Sequence, residues 1–208
     1  PQSLRMSGEQ KLKDGDEIIQ ELEFTNNCDL LFFTDKCQVY KAKADDFAQT
    51  KASVLGDYVA AKLGFDEGEN AVKMVATKDY KGMLLFAFEN GKAAKVPLES
   101  YATKTNRKKL TGAYSDKSPL VGLLYMPEDE EVLFKASSGN MLLVHTGALA
   151  LKTTRSTQGV AVLKPKKGHR LFSVERYKEG TFTNPKRYRT ASLPARGALP
   201  VSDDSKNE

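Results

Sequence analysis

Three apolar segments, each broken by a tight turn and resumed as a second apolar run, recur in this chain at a period near 50 residues. They cover residues 30–41, 84–95 and 132–143. Superposing Phe32, Phe86 and Phe134, which lie 54 and 48 residues apart, also superposes Cys37, Gly91 and Gly139 at the turn. Asn90-Gly91 and Ser138-Gly139 are hairpin pairs, because glycine accepts the positive φ that such turns need. Cys37 departs from this pattern, which points to Asp35-Lys36 as the turn pair of the first copy. Short strands are expected ahead of the hairpins, at residues 17–20, 70–73 and 119–125, with a further one at 170–174 behind Gly168-His169. A second glycine series, Gly8, Gly56, Gly112 and Gly159, sits in polar connections, some of them ahead of small strands such as 59–63 and 160–163.

The repeating unit therefore reads strand, strand, tight turn, strand, basic loop, glycine, strand. One such unit cannot bury both faces of its sheet, so neighbours stack or radiate about an axis. The pattern predicts an all-β, propeller-like fold of about four repeated four-stranded blades, in a complete or an open ring. The alternative is a single large β-barrel in which the spacing is fortuitous. Helical periodicity is nearly absent, the best case being residues 44–63.

Of the 208 residues 40% are hydrophobic and none is Trp, and no run of 18 apolar residues exists to span a membrane. The polar start, residues 1–13, has no signal-peptide core, and its first residue, Pro1, suggests a piece of a longer chain. Cys28 and Cys37 are the only cysteines, and eight residues separate them, which is neither a redox nor a metal-ligand spacing. His145 and His169 have no ligand partner at suitable spacing, and no nucleophile elbow, phosphate loop or dinucleotide fingerprint occurs. The acidic run 128–131 reads as a turn before a strand. The sequence thus offers no catalytic site, no metal site and no cofactor site.

Charge is distributed unevenly. Residues 1–100 carry 13 basic and 17 acidic side chains, whereas residues 151–190 carry 11 and 2, so this one stretch exceeds the net +5 of the whole chain. A field concentrated in this way attracts polyanions, although a solvated face gives the same composition. The positive charge recurs after each hairpin. The first connection holds Lys41, Lys43 and Lys51; the second holds Lys95, Lys104, Arg107, Lys108 and Lys109. The third holds Lys152 and Arg155, followed by Lys164, Lys166, Lys167 and Arg170. Equivalent loops of a propeller fall on equivalent rim positions, so these fourteen residues are the candidate contacts to duplex phosphates, with Thr153, Thr154, Ser156 and Thr157 as neutral donors beside them. Lysines that guard sheet edges would look the same.

Residues 30–41 resemble the strand-turn-strand signature Phe-Phe-Thr-x-x-Gly-x-Val-Tyr-Lys of bacterial type IIA topoisomerases, found in the C-terminal repeat domain of the gyrase A protein and of its topoisomerase IV counterpart. Residues 11–18 resemble the family's inter-blade link, and residues 153–160 its connection ending in Gly-Val. The resemblance covers roughly residues 8–175. It implies a β-pinwheel, a propeller variant with strands exchanged between blades, spanning residues 1–176, with 177–208 as a basic and then polar extension, partly disordered. It implies a non-catalytic domain that binds, bends and wraps double-stranded DNA along a basic rim to steer strand passage. The catalytic Tyr of such an ATP-dependent topoisomerase would lie outside the chain. The implied partners are double-stranded DNA, the N-terminal cleavage domain and an ATPase B-type subunit, in a bacterial cytoplasm at the nucleoid; no cofactor is implied. Two departures favour a topoisomerase IV-like or divergent protein: no heptapeptide of the type Gln-Arg-Arg-Gly-Gly-Lys-Gly occurs, and only three full units can be counted. The alternative function is a propeller-like protein-interaction module whose basic loops dock an acidic protein.

Overall fold

The computed structural model describes residues 12–51, 53–104 and 107–204. Its elements, in chain order, are β1 (Asp29–Thr34), β2 (Val39–Lys43), α1 (Val59–Leu63), β3 (Ala71–Thr77), β4 (Met83–Phe88) and β5 (Lys92–Pro97). There follow β6 (Lys109–Leu110), β7 (Leu120–Met126), β8 (Glu131–Ala136), β9 (Met141–His145), β10 (Val160–Ala161) and β11 (Leu171–Arg176). The strands form three antiparallel sheets, ordered β3-β1-β2-β6, β10-β5-β4-β7 and β11-β8-β9. This bears out the all-β class and removes the single barrel. Three sheets stand where about four blades were expected, because residues 17–20 form no strand: the Gln20 amide instead bonds the backbone of β3, donating to Met74 O at 2.8 Å and accepting from Met74 N at 2.9 Å.

Each sheet is built on one of the three repeated hairpins, and its register follows the superposition of Phe32, Phe86 and Phe134. Phe32 faces Tyr40, Phe86 faces Ala94, and Phe134 faces Leu142. The strand next to each hairpin is β3, β7 or β11, so it pairs with the hairpin before it in sequence and not the one after. The fourth strand comes from farther away. The outer edge of β2 takes β6, which follows the second hairpin, and the outer edge of β5 takes β10, which follows the third. Strands are thus exchanged between successive repeats of the chain.

The turns also follow the superposition. Cys37 has φ 55°, the left-handed position that Gly91 occupies at 83° and Gly139 at 89°. Asp35-Lys36 do form the first turn, as expected, and Cys37 completes it in the left-handed position just as Gly91 follows Glu89-Asn90 and Gly139 follows Ser137-Ser138. A β-carbon there costs about 1–2 kcal/mol, and glycine would return about 0.5–1 kcal/mol of that as added freedom of the unfolded chain. Cys37→Gly is expected to raise the melting temperature by about 2 °C; a fall in thermal denaturation would show that the cysteine side chain contributes more than its backbone strain costs.

Residues 59–63, expected as a small strand, form α1 instead. Ala60, Ala61 and Lys62 are good helix formers, and Gly64 at φ 70° ends the turn, with Phe65 N donating to Ala60 O at 2.9 Å. The described chain divides into two compact units: one runs to Asp79 and includes the β6 segment to Thr111, and the other comprises Tyr80–Lys104 and the chain from Gly112 onward. In the first, Val59, Leu63, Phe47 and Phe65 pack on Leu30, Phe32, Tyr40 and Ala42. In the second, Leu85, Met126, Val132, Phe134, Val144, Val162, Leu163 and Leu171 form one core shared by its two sheets.

Residues 177–204 run beside the third hairpin. Met141 and Ala198 exchange backbone hydrogen bonds of 2.8 and 2.9 Å, and Leu143 bridges Arg189. Tyr188 is fully buried against Leu133, Met141, Leu143 and Phe182, and its hydroxyl donates to Asp204. The outer edge of β9 is therefore covered by the chain's own C-terminal segment, at the place where β2 and β5 receive exchanged strands.

Candidate nucleic-acid interface

The fourteen basic residues singled out by sequence fall into three groups. Lys95 leaves the candidate surface altogether. Its side chain is 5% exposed, and its ammonium donates to Asp129 Oδ1 at 2.9 Å and to Thr146 O at 2.9 Å. Thr146 Oγ1 donates to the same carboxylate oxygen at 2.8 Å, and the Lys95 ammonium, ahead of this hydroxyl, holds the Asp129 carboxyl below its usual range. The repeat itself carried the signal: Lys95 superposes on Leu143, which is buried, and on Lys41, which is half-buried. Lys95→Met is expected to cost about 2 kcal/mol, below the ~3–5 of a fully buried pair. The reason for the discount is that the Asp129 side chain is 35% exposed. The melting temperature should fall by about 5 °C in a thermal scan, with duplex affinity unchanged; a loss of affinity without a loss of stability would restore Lys95 to the surface.

A second group is engaged within the fold. Lys43 pairs with Asp29, which raises its pKa, and Arg155 donates to Ser100 O at 2.9 Å. Lys109, on β6, lies over the Tyr40 ring at 5.4 Å and pairs with Asp66 Oδ1 at 3.2 Å; the Tyr40 hydroxyl and then Asp66 raise its pKa. Arg170 reaches Glu89 at 3.8 Å. Lys41 is half-buried on β2, and desolvation lowers its pKa. With Lys62 and Lys108 it lines a cleft of about 270 Å³ that Tyr40, Ala42, Asp46 and Leu63 complete.

The third group is exposed, with no ion pair to any described residue: Lys51, Arg107 and Lys108 in the first unit, and Lys104, Lys152, Lys164, Lys166 and Lys167 in the second. All lie on connections that follow a hairpin. Arg107 and Lys108 run directly into β6, where Lys41 N donates to Lys108 O at 2.7 Å. Lys164, Lys166 and Lys167 closely follow β10, with Lys164 N donating to Ala195 O at 2.8 Å. The exchanged strands thus fix the ends of the basic loops to sheet edges while their side chains stay in water. Thr153, Thr154 and Ser156 are exposed and Thr157 half-buried beside Lys152. Exposed Lys186 and Arg196 join this group, while Arg189 is held by Glu131 through two bonds of 2.7 and 2.8 Å. Arg196 lies in a segment without repeat pattern, which is why spacing did not find it. Among the described residues no group of His, Cys, Asp and Glu could hold a metal ion, and no helix is long and apolar enough to cross a membrane.

The chain is 28% identical over 182 residues to the DNA gyrase A protein of Streptomyces coelicolor, and 27% identical over 171 residues to that of Mycobacterium tuberculosis. It is a relative of the DNA gyrase A protein. The two alignments cover 83% and 80% of this chain but only 21% and 20% of the gyrase proteins, so it spans about a fifth of these relatives' length. Among solved structures, the C-terminal domain of DNA topoisomerase IV matches with a TM-score of 0.70 at 23% identity, over 82% of this chain and 53% of that domain. The DNA gyrase A C-terminal domain matches at 0.61 and 20%, over 90% of this chain and 65% of that one. The fold of this gyrase relative is that of the C-terminal domains. No family model matches it.

Proposed function

We propose that this chain is a non-catalytic, duplex-DNA-binding domain of a type IIA topoisomerase, belonging to its DNA-cleaving polypeptide, and that it bends DNA by neutralising phosphates along its hairpin connections. The observation that carries this reading is the recurrence of exposed cations, free of ion pairs within the described fold, on the loops that follow the hairpins, all but Lys51 on loops that enter or leave the exchanged strands β6 and β10. Such side chains have no acid to satisfy them, whereas lysines that serve only the fold are tied down, as Lys95 and Lys109 are. Phosphate contacts fix position without reading sequence, so binding to duplexes of any sequence follows. In a longer polypeptide the partners would be an N-terminal cleavage domain and an ATPase B-type subunit, with the cleavage Tyr outside these residues. Binding and bending are both read with a duplex of mixed sequence labelled at its two ends. Anisotropy should report association, and energy transfer between the ends should rise as the duplex curves. Association with unchanged transfer would leave binding without bending, and no association at low salt would overturn the reading in favour of a protein-docking module.

A further inference from the structure

We propose that Phe172 is a wedge whose ring inserts between two stacked base pairs of a bound duplex and kinks it, an inference that rests on the DNA-binding reading above. In each repeat the strand beside the hairpin carries one extra residue close to the hairpin's turn. On β3 it is Val72, between the pairs Phe33–Lys73 and Thr34–Ala71; on β7 it is Val121, between Ala87–Gly122 and Phe88–Leu120. On β11 it is Phe172, between Lys135–Ser173 and Ala136–Leu171. A bulge leaves its extra residue out of the ladder and re-aims that side chain. Two copies place a valine there, and the third places a phenyl ring. Of the ten Phe in the chain it is the most exposed, at 63%, while the adjacent Leu171 is fully buried.

An exposed apolar residue needs no explanation when it stands alone in polar surroundings. This one stands at the exit of a closed basic loop. Residues 164–170 include Lys164, Lys166, Lys167, His169 and Arg170, all exposed, and no acid. Both ends of the loop are tied to the turn of the second hairpin: Leu163 N donates to Gly91 O at 3.0 Å, and Leu171 N donates to Glu89 O at 2.9 Å. The exit is also tied to the third hairpin, where Ser137 N donates to Arg170 O at 2.8 Å and Ser137 Oγ lies 3.1 Å from His169 Nδ1. The loop therefore cannot carry its charge away from Phe172, and phosphates drawn to its lysines bring a groove against the ring. A duplex offers both partners that this cluster lacks, phosphates for the cations and an apolar slot between base pairs for the ring. Phe and other apolar side chains that enter a base step kink the duplex by about 20–90°. Pyrimidine–purine steps such as T–A open most easily, so the kink should settle there.

The probe is a duplex of about 30 base pairs with T–A steps about ten base pairs apart, their adenines replaced by 2-aminopurine, which brightens when it is unstacked. The 208-residue chain should raise that fluorescence about twofold or more as a step opens. Phe172→Ser should abolish the rise and reduce the energy transfer between the ends of the bound duplex. Its melting temperature and its salt slope should stay as they were, because the ring is exposed and neutralises no phosphate. Phe172→Leu should restore the rise, since an aliphatic wedge opens a step as well. Association of the unaltered chain without a rise, or a rise that survives in Phe172→Ser, overturns the wedge and leaves duplex binding intact. Loss of the rise together with a flattened salt slope also overturns it, since the ring would then only hold the basic loop in place. No association at low salt overturns the wedge and the DNA-binding reading together.

Discussion

Replacing Gly159 by alanine is expected to lower the melting temperature by about 10 °C, the loss of roughly 3–4 kcal/mol in a chain of this size. Gly159 has φ 73°, and a β-carbon there would stand 2.0 Å from Ala93 O and 2.7 Å from Ala94 Cα. Both contacts are to the backbone of β5, which cannot yield as a flexible side chain would. Gly91, on the same approach, would place its β-carbon 1.9 Å from Leu163 O, while its own carbonyl accepts from Val162 N and Leu163 N at 3.1 and 3.0 Å. The exchanged strand β10 can therefore seat only if both positions lack a side chain. The control is Gly112→Ala: its φ is 58°, but its β-carbon would meet nothing within 4 Å. That substitution should cost only the left-handed strain, about 1–2 kcal/mol. Equal losses for the two variants would show that backbone conformation, and not close approach, sets the requirement at Gly159.

Replacing Lys164, Lys166 and Lys167 together by glutamine is expected to weaken duplex binding on the order of 100-fold at 0.1 M salt and to flatten the salt dependence by about 2.7, some 0.9 per phosphate contact on B-DNA. The side chains lie in water or at its margin and are tied to no acid, so the melting temperature should not move. Arg107 and Lys108 should behave alike in the first unit, but Lys109 should not be pooled with them. Its ammonium joins β6 to Asp66 and to the Tyr40 ring, so removing it tests the fold as well as the surface. Weakened binding confined to some duplex sequences would show that these lysines read bases, contrary to the phosphate reading.

What was legible in the sequence was the local part of the fold. The hairpins announce themselves through Phe32, Phe86 and Phe134 and through their turns, because register within a hairpin is set by neighbours a few residues apart. Ownership of the third strand was not legible. Residues 71–77 lie in sequence between the first two hairpins, and alternation of side chains does not say which one they join. The exchanged strands were harder still, since β6 and β10 are two residues each and their seats lie far back in the chain. Gly159 did mark one of them, through a requirement for space that a spacing argument can see but not explain. For the candidate surface, composition located the basic loops but could not separate lysines in water from those in the fold. Lys95 and Lys152 look alike as letters, yet one meets Asp129, 34 residues away, and the other meets solvent. Only the superposition of Lys95 on the buried Leu143 foretold the difference. The C-terminal segment had no repeat to read, and its Tyr188 is a packing residue beside β9.

The measurement that tests the central claim most directly is the affinity of the 208-residue chain for a duplex of mixed sequence as salt is raised. The eight exposed cations of the hairpin connections, about four to eight of them engaged, predict a log–log slope between about −4 and −7, the same for duplexes of unrelated sequence. A slope near zero, or no duplex binding at about 50 mM salt or below, would contradict a DNA-binding role for the basic connections.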